Sequence, residues 1–277
     1  MKKWVIFVLI LAVIGPSALI LFEKLGQVEE SNSDLHGDLN SVYAFIKTKD
    51  FVDLTHAFYP GVPRWKGFPD EEVEIIYDYS DGFRAEVYTH VGQYGTHCDA
   101  PAHFCEGLRT IDEIEAKEFI CPLCVIDVHE KVEDNPDYVL SLDDIKSWEM
   151  RNGKIPEGAF VAMRTDWSMR WPNAMTMENK DENGTAHYPG WSLEVLEYLA
   201  DKGVTAIGHE TVDTDPGIKI TQDIYECEYF WLSQDHYQIE LMADLYKVPE
   251  SGALCICTFP KPLNGSGFPA RVIAILP

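Results

Sequence analysis

The distribution of apolar and polar residues predicts strands first, and strands alternating with helices further along the chain. Short runs rich in β-branched and aromatic residues predict three strands, at residues 51–55, 73–79 and 84–91. Asp81 and Gly82 form a turn signal between the second and third runs, which predicts a hairpin. Further apolar runs predict strands at residues 121–128, 158–164, 204–207 and 253–258.

Two helices are predicted between these later strands. Ser141 and Asp144 have the spacing of a capping box, and Gly153 is placed to end the helix that they begin. Ser192 is placed to cap a second helix at residues 193–202, which carries an apolar stripe along one side. A strand, a helix and a strand in this order indicate an α/β domain with some parallel strands.

The first residues have a different composition. Lys2 and Lys3 precede residues 4–22, which contain no charge and approach the length of a membrane-spanning helix. Residues 1–25 therefore read as a signal peptide or a membrane anchor, with an extracytoplasmic protein behind them. The sequence leaves open whether this segment is cleaved as a signal peptide or stays in the membrane as an anchor. Residues 26–49 are predicted to be a polar tether, and residues 50–277 a single domain.

Charge and cysteine content narrow the function. The chain has 22 Lys and Arg against 46 Asp and Glu, and its net charge of −24 argues against nucleic acid as a partner. Its seven cysteines include an unpaired one, which is unusual for an oxidising compartment. Buried thiols or an anaerobic setting would reconcile the odd number of cysteines with an extracytoplasmic location. Cys121 and Cys124 have redox-motif spacing, but they stand in an apolar run and are predicted to be structural.

Residues 93–103 carry the chemistry. They contain Gln93, His97, Asp99 and His103, interrupted by Gly95 and Pro101, and this donor set is typical of a metal site. His97 and Asp99 reach one ion from a short extended segment, whereas Gln93 joins them only if the chain curls near Gly95. His103 is then placed opposite the ion as a proton-transfer group. A loop of hydrogen-bonded polar residues is the alternative interpretation.

This motif, Gly-Thr-His-x-Asp-x-Pro-x-His-Phe at residues 95–104, resembles the signature of the cyclase family of metal-dependent hydrolases, which includes kynurenine formamidases and isatin hydrolases. The similarity extends from about residue 53 to the C-terminus. It implies a mixed, barrel-like β-sheet with flanking helices, the swivelling β/β/α type of α/β fold. It also implies that His97 and Asp99 bind a divalent metal ion and that His103 is catalytic.

The chain departs from the family pattern at two positions. Gln93 stands where the family has a third histidine, and a neutral oxygen ligand favours Mn²⁺ more than an all-histidine site does, so Mn²⁺ or Zn²⁺ is expected. Glu228 stands where two-metal formamidases have a histidine. Glu240 matches a family glutamate that would orient the site or bind a second ion. One ion is expected rather than two.

Two loops are candidates for the substrate pocket. By the resemblance, the loop at residues 60–65 borders that pocket, where Trp65 would stack on an aryl group and Arg64 would hold a carboxylate. The acidic loop at residues 208–217 follows a predicted strand and would close over the ion. His209 is the residue of that loop expected to touch the substrate, although capping a turn is the other interpretation of such loops.

The sequence thus predicts a metal-dependent amide hydrolase in which His103 moves the proton and Glu240 supports the ion held by Gln93, His97 and Asp99. The family implies a small-molecule amide substrate, such as N-formylkynurenine or the cyclic amide isatin, and a homo-oligomer. An anchored extracytoplasmic module that binds a metal or a ligand without catalysis is the alternative hypothesis. Retention of His103 argues against that alternative, because a passive site needs no proton carrier.

Overall fold

The computed structural model describes residues 38–277. Helix Leu39–Ile46 belongs to a unit that ends at Asp50, and Phe51–Pro277 form a second compact unit. The carboxylate of Asp38 caps the helix by accepting the backbone N–H of Asn40 at 3.0 Å. This helix lies inside the predicted tether. The domain boundaries at residues 25 and 49 stay a prediction.

The predicted location needs correction. Among residues 38–277, no helix has both the length and the apolar character needed to cross a membrane. The expectation of an extracytoplasmic, membrane-anchored protein is wrong on this finding, and no membrane contact is assigned. The predicted signal peptide or anchor at residues 1–25 lies outside the described residues.

Eleven strands are described in Phe51–Pro277. They are β1 (Phe51–Asp53), β2 (Glu72–Tyr77), β3 (Ala85–Thr89), β4 (His97–Asp99), β5 (Ile120–Asp127), β6 (Phe160–Arg164), β7 (Ala206–His209), β8 (Tyr237–Glu240), β9 (Ala253–Thr258), β10 (Gly267–Pro269) and β11 (Arg271–Ile275). Nine of them form one curled sheet in the order β1-β11-β9-β5-β6-β7-β8-β4-β10. The four central strands β5 to β8 are parallel, and the outer ones are antiparallel. The predicted mixed, barrel-like α/β fold is confirmed.

Helices connect the central strands. The α-helices after β5 are His129–Asp134, Leu142–Asn152, Ala174–Glu178, Leu193–Asp201, Gly217–Thr221 and Glu226–Ser233. Both predicted caps are present: the Ser141 hydroxyl accepts the backbone N–H of Asp144, and the Ser192 hydroxyl accepts that of Val195, each at 3.4 Å. These two helices begin where the sequence predicts because the caps satisfy N–H groups that have no partner inside the helix.

The main sheet has an apolar core on each face. Alternate residues of β5 enter different cores: Cys124 joins the cluster that the helices cover, and Cys121 joins the opposite cluster. All seven cysteines are free, and burial raises the pKa of Cys121 to about 11 and that of Cys124 to about 12. The structural role predicted for this pair of thiols is confirmed, since buried neutral thiols are poor nucleophiles.

The two remaining strands form a sheet of their own. Strands β2 and β3 pair in antiparallel register, and Gly82 follows the connecting turn with a φ of +97°. A positive φ is the conformation that glycine adopts without steric strain. The hairpin predicted at Asp81 and Gly82 is confirmed.

Candidate functional site

Strand β4 brings the polar residues of the motif together with strand β8. The register places His97 opposite Glu240 and Asp99 opposite Gln238. Cross-strand neighbours project from the same face of a sheet, so these four side chains form one buried group. Cys98, between the two motif residues, points into the core on the other face.

A curl before β4 determines how His97 is presented. Gly95 has a φ of +62°, and its carbonyl oxygen lies 2.8 Å from His97 Nδ1. A carbonyl can only accept, so Nδ1 carries the hydrogen and the lone pair of Nε2 faces the site. Nε2 lies 3.4 Å from Asp99 Oδ2 and 3.5 Å from Glu240 Oε2. Three electron-pair donors therefore converge on one point.

A positive charge at that point would be stabilised by all three donors. The donor atoms of His97, Asp99 and Glu240 all lie within 4.8 Å of one another, and Asp99 Oδ1 is buried without a hydrogen-bond partner. Burial lowers and the Asp99 carboxylate raises the pKa of His97, with a net rise, because a proton on Nε2 would supply such a charge. A divalent cation would supply it better, since it can bind all three donors at once.

The amide of Gln238 connects the carboxylates behind this point. Its nitrogen donates towards Asp99 Oδ2 at 3.2 Å, Glu228 Oε1 at 3.1 Å and Glu240 Oε1 at 3.2 Å, and its oxygen accepts from Thr214 at 2.8 Å. Burial and then the neighbouring carboxylates raise the pKa of Glu228 and of Glu240 well above the usual range. These buried carboxyl groups ionise only if a positive charge lies beside them, which is a second reason why the donor set fits a cation.

His103 lies at the edge of the same group. Its Nε2 is 3.9 Å from Asp99 Oδ1, its Nδ1 is 3.4 Å from Gln93 Nε2, and its side chain is 22% exposed. Partial exposure and two ring nitrogens that face different partners are what a proton-transfer group requires. Gln93, predicted as a metal ligand, lines the same cavity.

A cavity of about 400 Å³ opens above these residues. Its wall is largely aromatic or apolar and is formed by Trp65, Phe68, Phe104, Val212 and Tyr225. The Trp65 indole donates to the hydroxyl of Tyr225 at 3.3 Å, which fixes one side of the wall. Arg64 also lines the cavity, and its guanidinium is held by the Phe68 carbonyl at 3.2 Å and the Asp70 carboxylate at 3.1 Å.

A family profile with the description "Putative cyclase" matches residues 52–216. The chain belongs to this cyclase family. An isatin hydrolase of Roseibium aggregatum is 32% identical over 243 residues, which cover 82% of this chain and 92% of that protein. A kynurenine formamidase of Bacillus cereus is 20% identical over 173 residues, which cover 62% of this chain and 73% of that protein.

Solved structures agree with this assignment to the cyclase family. Isatin hydrolase A from Labrenzia aggregata, bound to benzyl benzoate, superposes with a TM-score of 0.79 at 30% identity and covers 86% of this chain and 98% of its own. An isatin hydrolase bound to the product analogue thioisatinate gives a TM-score of 0.80 at 29% identity, with 86% and 97% covered. The resemblance stated from the motif is confirmed.

The structure places one of the predicted site residues away from the cavity. His209, expected to touch the substrate, is fully buried behind Glu240. Its Nδ1 accepts the indole N–H of Trp191 at 3.2 Å, and its Nε2 lies 3.3 Å from Glu240 Oε1. Burial lowers the pKa of His209 to about 3, so the ring is neutral. The acidic loop does reach the cavity, but through Val212 and Asp213.

Sequence reasoning missed several residues of the candidate site. They are Phe68, Phe104, Asp213, Tyr225 and Gln238. Gln238 had a usable signal, because it lies two residues before Glu240 and so shares its face of an extended strand. Asp213 had a weaker signal, its position in the acidic loop at residues 208–217. It accepts the hydroxyl of Tyr188 at 2.5 Å, and burial raises its pKa to about 7.

Proposed function

We propose that this protein is a metal-dependent hydrolase that opens an aromatic cyclic amide. The convergence of His97 Nε2, Asp99 Oδ2 and Glu240 Oε2 at the floor of an aromatic cavity carries the proposal. The chain is an amide-bond hydrolase of the cyclase family. A cyclic substrate is favoured over a formamide because the isatin hydrolase relative has the higher identity and the larger coverage.

His97 and Asp99 would hold one divalent ion, Mn²⁺ or Zn²⁺, together with Glu240 or Gln93. When bound, such an ion polarises a carbonyl group and lowers the pKa of water towards about 7. A single ion is favoured because the Gln238 amide stands among Asp99, Glu228 and Glu240. Its hydrogens occupy the space between these carboxylates, where a second cation would otherwise be needed.

His103 would move the proton. Nε2 accepts it from the attacking water and returns it to the amide nitrogen as the carbon–nitrogen bond breaks. For Nε2 to accept, Nδ1 must carry the ring hydrogen, and Gln93 must then present its amide oxygen to Nδ1. In the described orientation the Gln93 nitrogen faces Nδ1 instead. A half-turn of the amide exchanges the two atoms, so Gln93 selects the nitrogen of His103 that is free.

The cavity wall would select the substrate. Trp65, Phe68, Phe104 and Tyr225 offer ring faces on which a fused aromatic ring can stack. Ring opening converts a neutral amide into a carboxylate that stays attached to the aromatic amine. Arg64 lines the cavity and carries the charge that would attract this carboxylate.

The experiment uses the purified full-length chain, stripped of metal with a chelator and then supplied with Mn²⁺ or Zn²⁺. Isatin, N-formylkynurenine and an aryl lactone are offered separately, and ring opening or formate release is followed. We expect metal-dependent turnover with the highest kcat/KM for isatin. Preference for N-formylkynurenine would overturn the cyclic-amide assignment. Binding of all three compounds without turnover would overturn the proposed hydrolase activity. The relatives reported above are hydrolases and give no support to the non-catalytic binding module considered from the sequence.

A further inference from the structure

Asp213 lies where two cavities meet. The cavity of about 400 Å³ above the candidate metal site and a second cavity of about 140 Å³ share Asp213 among their lining residues, together with Arg64, Trp65 and Val212. Asp213 is only 4% exposed. Removing a carboxylate from water is costly unless its oxygens accept hydrogen bonds. Each oxygen of Asp213 therefore needs a donor.

One oxygen of this carboxylate is held by the protein. The hydroxyl of Tyr188 donates to Asp213 Oδ2 at 2.5 Å. Tyr188 is itself fixed by Gly217, which donates its backbone N–H to the Tyr188 carbonyl at 3.0 Å and packs so closely that a Cβ at residue 217 would lie 2.9 Å from the ring. The hydroxyl of Thr211 donates to the backbone carbonyl of Asp213 at 2.9 Å. The direction of the carboxylate is therefore set before a substrate arrives.

The other oxygen has no donor. Asp213 Oδ1 accepts no hydrogen bond from the described residues, and it is not one of the polar atoms that the protein seals from solvent. Nor does Asp213 belong to the group of His97, Asp99 and Glu240, whose donor atoms converge on one point. An ion bound by those three residues does not by itself satisfy Oδ1. Because buried acceptors are nearly always satisfied, Oδ1 is suited to a donor that enters the cavity.

A cyclic amide supplies such a donor. Its carbonyl would lie beside the convergence point and its ring on the aromatic wall, and its N–H belongs to the atom bonded to that carbonyl carbon. Glu228 also lines the cavity, but the Gln238 nitrogen at 3.1 Å ties Glu228 to the carboxylates behind the convergence point. We propose that Asp213 Oδ1 accepts the N–H of the scissile amide and selects cyclic amides with a free N–H over lactones and N-alkylated amides. This inference rests on the proposed function.

The chemistry of the carboxylate accounts for this selection. Burial raises the pKa of Asp213 to about 7, and an N–H donor stabilises the ionised form. A lactone would place its ring oxygen against Oδ1, so that two acceptors would face each other. An N-methyl group would fill the same space without donating. A hydrogen bond to a charged group is worth about 10- to 100-fold in affinity, and a site built to bond a substrate N–H rejects analogues that lack it.

The test compares isatin with N-methylisatin as substrates of the full-length chain loaded with Mn²⁺. We expect Asp213→Asn to reduce the preference for isatin in kcat/KM by about 10- to 100-fold. The Asn oxygen would accept from Tyr188, and its NH2 group would then face the substrate N–H. Comparing the ratio between variants cancels the intrinsic reactivity of the two compounds. Glu178→Gln is the matched control, because Glu178 lines the smaller cavity but not the larger one and loses the same charge. This control should keep the wild-type preference.

A second pair of compounds tests binding without turnover. The Kd values of 2-oxindole and N-methyl-2-oxindole are measured by calorimetry on the same Mn²⁺-loaded proteins. The wild type should bind 2-oxindole more tightly, and Asp213→Asn should bind the two compounds alike. Tyr188→Phe removes the donor that holds Oδ2 and should show an intermediate preference, which keeps the test open if circular dichroism finds Asp213→Asn unfolded. If isatin is not hydrolysed, the proposed function fails, and the oxindole pair still decides the role of Asp213.

Four results would overturn the inference. The first is a wild-type chain that binds neither oxindole or binds both equally. The second is an Asp213→Asn variant that keeps the wild-type preference in either pair of compounds. An equal loss of turnover on isatin and N-methylisatin is the third, because Asp213 would then act on water rather than on the N–H. The fourth is loss of metal from Asp213→Asn in elemental analysis, which would make Asp213 a metal ligand.

Discussion

His209 Nε2 lies 3.3 Å from Glu240 Oε1, and the opposite side of the same ring is held by an indole. The indole N–H of Trp191 can only donate, so Nδ1 of His209 accepts and the single ring hydrogen sits on Nε2. That hydrogen is donated to Glu240. The other carboxylate oxygen of Glu240 is thereby left to face His97 Nε2. Trp191 thus orients a candidate metal ligand through the tautomer of a histidine.

Trp191→Phe should lower metal affinity about 10- to 100-fold, the range for lost partners of metal ligands. Phenylalanine keeps an aromatic ring in the core but frees His209 to move its hydrogen to Nδ1, which would point a lone pair at Glu240. Competition with a chromogenic chelator measures the affinity. Trp148→Phe is the control, because Trp148 is also buried and donates its indole N–H to the Val125 carbonyl, away from the site. Equal metal affinities in the two variants would contradict the proposal that Trp191 orients Glu240 through His209.

Asp99→Asn should abolish stoichiometric metal binding. The change keeps the shape of the side chain and replaces one carboxylate oxygen with an NH2 group. The negative charge at the point where the three donors converge is therefore lost. Elemental analysis of the purified variant gives the metal content. Asp201→Asn, at the exposed end of helix Leu193–Asp201, is the control and should bind metal normally. Full metal content in the Asp99→Asn variant would remove Asp99 from the ligand set.

His103→Ala should lower kcat by about 10²- to 10⁴-fold, the usual contribution of a positioned acid or base. Metal content should be unchanged, because the three converging donors do not include His103. Rates are measured under substrate saturation with metal content determined on the same sample. His129→Ala is the control, since His129 bonds to Asp127 outside the cavity. Wild-type turnover in His103→Ala would exclude the proton-transfer role.

The face of β4 on which each functional side chain lies was predictable, because it depends only on local backbone geometry. The period of an extended strand separates His97 and Asp99 from Cys98, and glycine permits the curl at Gly95. The partnership with Glu240 depends on the register between β4 and β8, which are far apart in sequence. No pattern in either strand encodes that register, and only the family resemblance supplied this residue.

Helix Glu226–Ser233 and strand β8 were not predicted, for a physical reason. The helix buries Cys227, Glu228, Trp231 and Leu232, so a carboxylate stands on its buried side and obscures the apolar stripe. Strand β8 is buried along its whole length and carries Gln238 and Glu240. Its residues alternate between apolar and polar, which is the pattern of a half-exposed strand, and four residues are too few to identify a strand from that pattern alone. The buried polar face of this strand carries the candidate site.

His56→Phe should make the protein less sensitive to acid. Burial lowers the pKa of His56 to about 4, whereas the unfolded chain binds that proton near pH 6.5. Between these values the unfolded state holds more protons, so wild-type stability falls as the pH drops, by at most about 3 kcal/mol. Phenylalanine preserves the stacking on Trp171, whose ring centroid lies 4.3 Å away. Urea unfolding at pH 7 and pH 4.5 should show a smaller loss in the variant than in the wild type. An equal loss would mean that other groups control acid unfolding.

Gln93 has two candidate roles that a pair of substitutions separates. As a metal ligand, its amide oxygen contributes to affinity, so Gln93→Ala would bind metal more weakly and Gln93→His more tightly, because imidazole is the stronger donor. As the partner of His103 Nδ1, it selects the ring nitrogen that moves the proton. Gln93→Ala would then keep its metal affinity but lose kcat, and the pH dependence of kcat would shift. We expect the effect on kcat, because His103 Nε2 can accept a proton only when the Gln93 oxygen faces Nδ1, and that oxygen is then not available to the metal. Chelator competition and the pH profile, measured on both variants, decide between the two roles. Weaker metal binding by Gln93→Ala with an unchanged pH profile would instead make Gln93 the third metal ligand.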